Sequence, residues 1–270
     1  MTEPSQATQE ALSYTSYLGL DDVLNAQRLR SDEHDELLFI VIHQVYELWF
    51  KQILHEAAFL QENLERGNTA HSIRTLRRIL TILKVAVAQI DVLETMTPSQ
   101  FTSFRARLDA SSGFQSAQFR EVEYLLGLKD GAHLKFQEEG SAPQRALAGA
   151  LAMPSLWDEA NAALARGGFA LPAAVLERDW TQKYEPDPAV EAAWAEVYRD
   201  AGRHWEYYQF AEKLMDIDDS MAVWRHKHVV TVERVIGFKT GTGGTAGVPY
   251  LQKTITKRAF PELWSLRTKL

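Results

Sequence analysis

The sequence predicts an all-α protein, a single-domain helical bundle of long core helices joined by short connecting helices. Three observations favour this fold class. Apolar residues recur at intervals of three and four, the spacing of a helix face, along most of the chain. Capping signals and glycines stand where these segments start and stop. No convincing alternating pattern, internal repeat or low-complexity linker interrupts them.

The first long helix is predicted at about residues 35–64. An acidic first turn suits the positive end of the helix dipole, and Ser31 or Asp32 is the expected cap. Apolar side chains lie on more than one side of this helix, so we expect it near the centre of the bundle. The Gly-Asn pair at 67–68 ends it.

The second long helix is predicted from a seam of apolar residues spaced by threes and fours: Ile73, Leu76, Leu80, Leu83, Val87 and Ile90. Thr97-Pro98-Ser99-Gln100 then forms a capping box with proline at the first helical position. This box opens a short helix that reaches about Leu108.

The second half of the chain is less regular. A helix is predicted at about 114–126, followed at 129–188 by short alanine-rich helical pieces. Two long helices are predicted next, at about 188–215 and 220–236. Gly237 ends the last of these, before a glycine-rich loop and a short closing helix.

Composition limits the classes of protein that the chain can represent. Its 270 residues are 46% hydrophobic and 24% charged, sufficient for a sizeable core. The absence of cysteine excludes disulfides and any thiolate-ligated metal or heme. A net charge of −7 without a basic block argues against nucleic acid as a partner. Without a signal peptide or a bilayer-length apolar run, we expect no membrane contact and a cytoplasmic location, with residues 1–12 a disordered tail and 13–270 the domain.

Two histidines are candidates for chemistry. His228 lies on an apolar helix face, where it is either a satisfied core residue or, without cysteine in the chain, a proximal heme ligand. His43 shares a stripe with Phe39 and Glu47. It is either hydrogen-bonded to Glu47 or projects into an aromatic pocket to accept a hydrogen bond from a substrate N–H. A metal ion shared by His228 and His226 is not expected, because residues two apart on a helix point about 200° from each other.

Two further features are open to two interpretations. Arg105 follows two phenylalanines on the short helix and is either a surface arginine or a clamp for a carboxylate. The glycine-rich loop at 239–247 follows a helix and lacks the Gly-Lys-Ser/Thr ending, so a phosphate-binding loop is not predicted. It is either a flexible connection or a lid that orders on a ligand.

Six stretches, found in order from about residue 14 to 264, resemble the tryptophan 2,3-dioxygenase family. They are Tyr14-x-x-Tyr17-Leu18, Leu38 to Gln44 with Glu47-Leu48-Trp49, Phe104-Arg105, Ser111 to Ser116, Trp224-Arg225-x-x-His228, and Val235 to Gly244. Each stretch is weakly specific by itself. Six of them in the family's order carry the resemblance over nearly the whole chain.

The resemblance implies roles for these residues. His228 corresponds to the proximal ligand of heme b, one heme per subunit, and His43 to the distal histidine that hydrogen-bonds the indole nitrogen. Arg105 corresponds to the residue that holds the substrate carboxylate, and Thr242 to the one that meets its ammonium and carboxylate groups. The remaining matches are Phe39 as a wall of the indole pocket, Ser112 and Gly113 on the distal side of the heme, and Tyr14, Tyr17 and Leu18 as residues given to a neighbouring subunit of a homotetramer.

Two positions depart from some members of the family. Phe101 stands where some bacterial members have a tyrosine near the substrate carboxylate, and Ile90 where some have a tryptophan near the heme. Animal members resemble this chain at the first position. We therefore expect the departures to alter hydrogen bonding and packing, with the activity retained.

The implied reaction inserts both atoms of O₂ across the indole C2–C3 bond of L-tryptophan and gives N-formyl-L-kynurenine, the first step of tryptophan catabolism by the kynurenine pathway. Two alternatives stay open. One is a superfamily relative that inserts one oxygen into a tryptophan derivative to form a 2-oxindole. The other is a non-catalytic heme sensor, which would not need the amino-acid clamp of Arg105 and Thr242.

Overall fold

A computed structural model describes residues 11–270, and every regular element within that range is helical. The all-α prediction is thereby confirmed. The expected disordered tail lies outside the described residues, apart from its last two. The α-helices are α1 (Tyr14–Leu18), α2 (Leu20–Leu24), α3 (His34–Glu65), α4 (Thr69–Leu93), α5 (Pro98–Arg105), α6 (Ala117–Leu125), α7 (Ala142–Ala152), α8 (Leu156–Arg166), α9 (Ala173–Leu176), α10 (Pro188–Arg199), α11 (Trp205–Ile236), α12 (Val248–Gln252) and α13 (Pro261–Ser265).

The three longest helices form the centre of the bundle. Helix α4 packs extensively against both α3 and α11. Its predicted seam faces these neighbours, with Leu76, Leu83 and Ile90 almost completely buried. The predicted cap of α5 is also found, because the Thr97 side chain accepts from the backbone N–H of Gln100 and the Gln100 side chain accepts from that of Thr97. Short helical segments at Ala106–Leu108 and Gly113–Gln115 continue from α5 towards α6.

The start of α3 differs from the prediction. Glu33 is the N-cap residue and makes no side-chain capping bond, so the expected cap at Ser31 or Asp32 is wrong. The carboxylate of Glu36 instead reaches back to accept from the Ser31 hydroxyl and from two backbone N–H groups of the preceding turn. Glu36 is only 1% exposed, so this acidic side chain fixes the entry to the helix from inside the fold.

The predicted break between residues 215 and 220 is also wrong, because α11 runs through it without interruption. The break lies earlier, at residues 200–204, where Gly202 interrupts the helical pattern. Acidic residues at 216–219 resemble a helix start, yet Asp218 is fully buried. Its carboxylate accepts from the backbone N–H of Ala259 at 2.9 Å and from Trp264 Nε1 at 2.8 Å. A long-range contact thus holds the middle of α11.

The region from α8 to α10 is fastened to the C-terminal helix α13 through one buried carboxylate. Glu262 accepts hydrogen bonds from the Tyr184 hydroxyl at 2.5 Å, the Asp187 N–H at 2.9 Å and Trp157 Nε1 at 3.2 Å. Burial raises the pKa of Glu262 in spite of these donors. Three donors on one carboxylate fix the closing helix against the bundle.

Helix α3 is long and apolar enough, by length and composition, to cross a bilayer. Its contacts identify it instead as a core helix, because it packs against α4, α6 and α8 and buries Glu56 and Asn63. Part of its outer face is uncovered in the single chain, where Leu37 and Leu48 are 45% and 53% exposed.

Candidate functional site

A cavity lies between α3, α4, α5, α6 and α11, and residues of the glycine-rich loop also line it. Most of its wall is aromatic or aliphatic, with polar groups at a few places. The structure brings together in this wall Phe39, His43, Arg105, Ser112, Gly113, His228 and Thr242, seven of the residues singled out in the sequence. Phe101 and Ile90, the two departures from the family pattern, also line it.

His43 has its ring fixed by its own helix. Nδ1 lies 2.7 Å from the carbonyl oxygen of Phe39, and since a carbonyl only accepts, Nδ1 carries the proton. Nε2 of the neutral ring is therefore a hydrogen-bond acceptor. The expected alternative, a bond from His43 to Glu47, is not formed: the Glu47 carboxylate accepts from Gln118 Nε2 at 2.8 Å.

The surroundings of His43 favour this neutral form. Burial lowers the pKa of the imidazole, against smaller opposing effects of the Phe39 carbonyl and the Glu47 carboxylate. The Phe39 ring lies 4.2 Å from the imidazole, centroid to centroid, and also packs against Phe101 and Phe104. An acceptor nitrogen thus stands beside an aromatic wall, the environment that an N–H of a flat apolar ring requires.

His228 reaches the same cavity from α11. Burial, with a smaller effect of the neighbouring His43, lowers its pKa to about 4, so the imidazole is neutral at pH 7. Its ring stacks on Trp224 with centroids 5.2 Å apart and planes 13° from parallel, which restricts its rotation. His226, two residues earlier, is exposed. His228 therefore offers one neutral, oriented nitrogen donor.

The mouth of the cavity is bounded by Arg105 and the glycine-rich loop. Arg105 Nη2 donates to the Thr240 carbonyl oxygen at 2.5 Å, while its buried Nε has no partner among residues 11–270. The Thr242 hydroxyl donates to the Ser111 carbonyl oxygen at 2.7 Å. The loop, called the lid below, is thereby joined by specific contacts to α5 and to the segment that follows it.

Gly243 makes another close contact between the loop and the segment that follows α5. A Cβ atom built on it would lie 2.7 Å from Cβ of Ser112, closer than real Cβ atoms approach their neighbours. The loop needs glycine here because the backbone of 243 lies directly against Ser112, on the cavity wall.

Replacing Gly243 with alanine is expected to displace the lid without unfolding the protein. The loop is a surface segment, so we expect the melting temperature to stay within a few degrees and the KM for substrate to rise about 10-fold. Adding Ser112→Gly removes the clashing Cβ and should restore much of the KM. A melting temperature that falls as steeply as activity would show that the contact serves stability alone.

The cavity wall contains a cationic cluster that was not predicted from the sequence. Arg120 and Glu123 on α6 meet Arg225 on α11, and all three are buried. Burial works to raise the pKa of Glu123, but the two guanidinium groups hold it below its ordinary value. Two arginines sharing one carboxylate leave this wall positive. The local spacing of Arg120 and Glu123 on one helix does not separate a buried pair from an exposed one.

The cavity fits heme on two observations. Residues 11–270 contain no group of three histidine, aspartate or glutamate side chains that could hold a metal ion. His228 offers the cavity one neutral, oriented imidazole nitrogen, the donor that a proximal heme ligand supplies. Arg120 Nε is buried and has no hydrogen-bond partner within the described residues 11–270, although the guanidinium lies 5.0 Å from the Phe114 ring centroid. The Arg120 guanidinium lies in the cavity wall, where it would stabilise the carboxylates of a cofactor.

Tyr14, Tyr17 and Leu18 do not line this cavity. They lie on α1, with the two tyrosine side chains 76% and 73% exposed. The chain thus presents three apolar side chains to its surroundings at the position where the resemblance implies contact with a neighbouring subunit.

Fold and site together define an all-α protein with an aromatic-lined cavity that one neutral imidazole reaches from each of two helices, with an arginine at its mouth. The family model of tryptophan 2,3-dioxygenase matches residues 1–145 and 195–270. The tryptophan 2,3-dioxygenase of Caulobacter vibrioides is 56% identical over 259 residues, 96% of this chain and 98% of the relative. That of Anaeromyxobacter sp. (strain K) is 52% identical over the full length of both. The chain belongs to the tryptophan 2,3-dioxygenase family, a family of heme dioxygenases, as its motifs predicted.

Proposed function

We propose that this chain is a heme-dependent dioxygenase that inserts both atoms of O₂ across the indole C2–C3 bond of L-tryptophan and releases N-formyl-L-kynurenine, the first step of the kynurenine pathway. One observation carries the proposal: His43 and His228 reach a single aromatic cavity from different helices, with Arg105 and Thr242 at its mouth. Membership of the family supports it.

The cofactor of the proposal is heme b, one per subunit. His228 would ligate its iron, Ser112 and Gly113 would line the opposite side, and Arg120 and Arg225 would stand near its carboxylates. When bound, heme supplies oxygen activation. The protein contributes orientation, charge stabilisation and exclusion of water.

The substrate is held at both ends. The indole N–H donates to Nε2 of His43 while Phe39 packs against the ring. The amino-acid end is recognised by Arg105, whose planar guanidinium makes two parallel hydrogen bonds to a carboxylate, and by the Thr242 hydroxyl. Because indole is electron-rich, the reaction needs a fixed ring position rather than a protein nucleophile. His43 is an orienting acceptor in this proposal, and removal of the indole proton is not required of it.

Replacing His43 with alanine is expected to lower activity about 10-fold or more while heme stays bound, because one hydrogen bond to the substrate is lost. The preference for tryptophan over 1-methyltryptophan, which has no indole N–H, should shrink by a similar factor. The measurements are kcat/KM for both substrates and the heme content. His55→Ala, an exposed histidine on the same helix, is the matched control. Unchanged discrimination in His43→Ala would exclude the assigned role.

The same acceptor role sets a pH dependence. Protonated His43 donates from both nitrogens and no longer accepts from the indole. Burial lowers its pKa below the ordinary 6.5, so the neutral form persists above that pH. Tryptophan affinity is therefore expected to be constant between pH 8 and 6.5 and to fall only in more acidic solution. An affinity that already falls between pH 8 and 7 would contradict this assignment.

The decisive experiment is identification of the product. Protein reduced in the presence of heme is given L-tryptophan and ¹⁸O₂. A product heavier by two ¹⁸O atoms supports the dioxygenase, while one added oxygen indicates the 2-oxindole former. A spectrum of ferrous heme that does not respond to tryptophan, with no product, indicates a sensor. A tryptophan derivative tested alongside decides between the native amino acid and a close analogue.

We further propose a cytoplasmic homotetramer of single-domain chains, each domain spanning residues 13–270. The exposed apolar side chains of α1 and the uncovered outer face of α3 support this assembly, because large apolar side chains of soluble proteins cluster at interfaces. Tyr14, Tyr17 and Leu18 would then complete the site of a neighbouring subunit. Sedimentation of the native chain and of Tyr14→Ser/Tyr17→Ser tests the assembly.

A further inference from the structure

A buried ion cluster joins α6 to α11 beside the candidate iron ligand. Glu123 Oε1 accepts from Arg225 Nη2 at 3.1 Å, and its Oε2 accepts from Arg120 Nη1 at 2.5 Å. The side chains of Glu123 and Arg225 are 2% and 3% exposed. Both carboxylate oxygens are engaged, so the cluster fixes the distance between the two helices at this level.

The cluster acts on the turn of α11 that carries His228. Arg225 lies three residues before His228, about one helical turn, and its Nη1 also approaches the Lys257 carbonyl oxygen at 3.4 Å. Another ion pair of this turn lies nearer the surface: Lys227 pairs with Asp91, whose side chain is 63% exposed. Solvent screens such a pair, whereas the Glu123 contact is shielded from water.

Stability alone does not account for a buried ion cluster at this place. Charges taken out of water gain little over apolar side chains of the same size, because the cost of desolvation offsets their attraction. The cluster instead fixes the orientation of the two arginine side chains, because the two oxygens of one carboxylate accept from two guanidinium groups in defined positions. Trp224, the neighbour of Arg225, stacks on the His228 ring, so a rotation of this turn would move both aromatic rings.

We infer that Glu123 is a positioning residue: through Arg225 it holds the turn of α11 that presents His228 to the cavity, and it keeps the Arg120 guanidinium on the cavity wall. The inference rests on the proposed function in so far as His228 is the iron ligand.

The first test uses the full-length protein without heme. Amide hydrogen exchange is measured along α11 in Glu123→Gln and in the matched control Glu121→Gln, a half-buried glutamate on the same helix. We expect exchange at residues 222–232 to accelerate about 10-fold in Glu123→Gln and to match the native protein in the control. Acceleration spread evenly along α11 would overturn the inference, since a merely structural role lowers protection everywhere.

The second test uses the heme-loaded protein. The iron–histidine stretching band of ferrous heme, measured by resonance Raman spectroscopy, should shift or broaden in Glu123→Gln and partly recover in Glu123→Asp. Should Glu123→Gln fail to fold, Arg225→Met replaces it, because Glu123 then keeps a neutral pair with Arg120. A native band and native exchange in Arg225→Met would refute the positioning role. A native band in His228→Ala would instead refute the proposed iron ligand and leave the exchange result standing.

Discussion

Protein in which His228 is replaced by alanine is expected to lose its heme or to hold it with an altered ligand, and to lose activity by more than about 100-fold. Replacing groups that merely support a metal ligand commonly costs 10- to 100-fold, and His228 is the candidate ligand itself. Heme content by the pyridine hemochrome assay and the ferrous absorption spectrum measure the effect. The cavity offers no second histidine on α11, because His226 is exposed.

His226→Ala is the matched control for this prediction. It removes an imidazole from the same helix, two residues away, and should leave heme content and spectrum as in the native protein. Imidazole added to His228→Ala is expected to restore part of the ferrous spectrum, since the lost side chain leaves space of that shape. An unchanged heme spectrum in His228→Ala would show that the ligand is elsewhere.

Arg105→Met is expected to weaken tryptophan binding by about 10- to 100-fold with heme content unchanged. Hydrogen bonds to a charged group contribute about 1.5–3 kcal/mol, and methionine keeps much of the apolar stem while removing every donor. Tryptamine, which lacks the carboxylate, should bind the native protein and the variant about equally. The measurement is the dissociation constant of each ligand from the heme spectrum.

Arg107→Met controls for loss of positive charge near the mouth, because Arg107 is exposed and only two residues away. It should leave the preference for tryptophan over tryptamine intact. If Arg105→Met weakened tryptamine as much as tryptophan, the arginine would act on the shape of the lid rather than on the carboxylate.

The long helices could be predicted from the sequence because their apolar residues repeat with the helical period over many turns. Helix ends that depend on contacts with distant parts of the chain could not be predicted. The interior of α11 passes through an acidic stretch that looks like a helix start, and only the hydrogen bonds of Asp218 to residues about 40 positions later explain its continuity.

The candidate site could be predicted in part for a similar reason. The order of the motifs identified His43, Arg105, His228 and Thr242 as candidates. Helical periodicity, however, does not show whether His43 bonds to Glu47 or to the Phe39 carbonyl. The cluster around Glu123 was out of reach, because its contact to α11 joins residues 102 positions apart. Neighbouring opposite charges on a helix usually form an exposed pair, and nothing local distinguishes a buried one.

The contacts of the glycine-rich loop bear on how the protein completes a turnover. Arg105 Nη2 and the Thr242 hydroxyl each already have a backbone carbonyl as partner, so an arriving amino acid must first displace these contacts to the loop and to the segment after α5. The same carbonyls receive both side chains again when the product departs. Release then restores both contacts, while the buried Nε of Arg105, which has no partner among residues 11–270, is left for the next carboxylate.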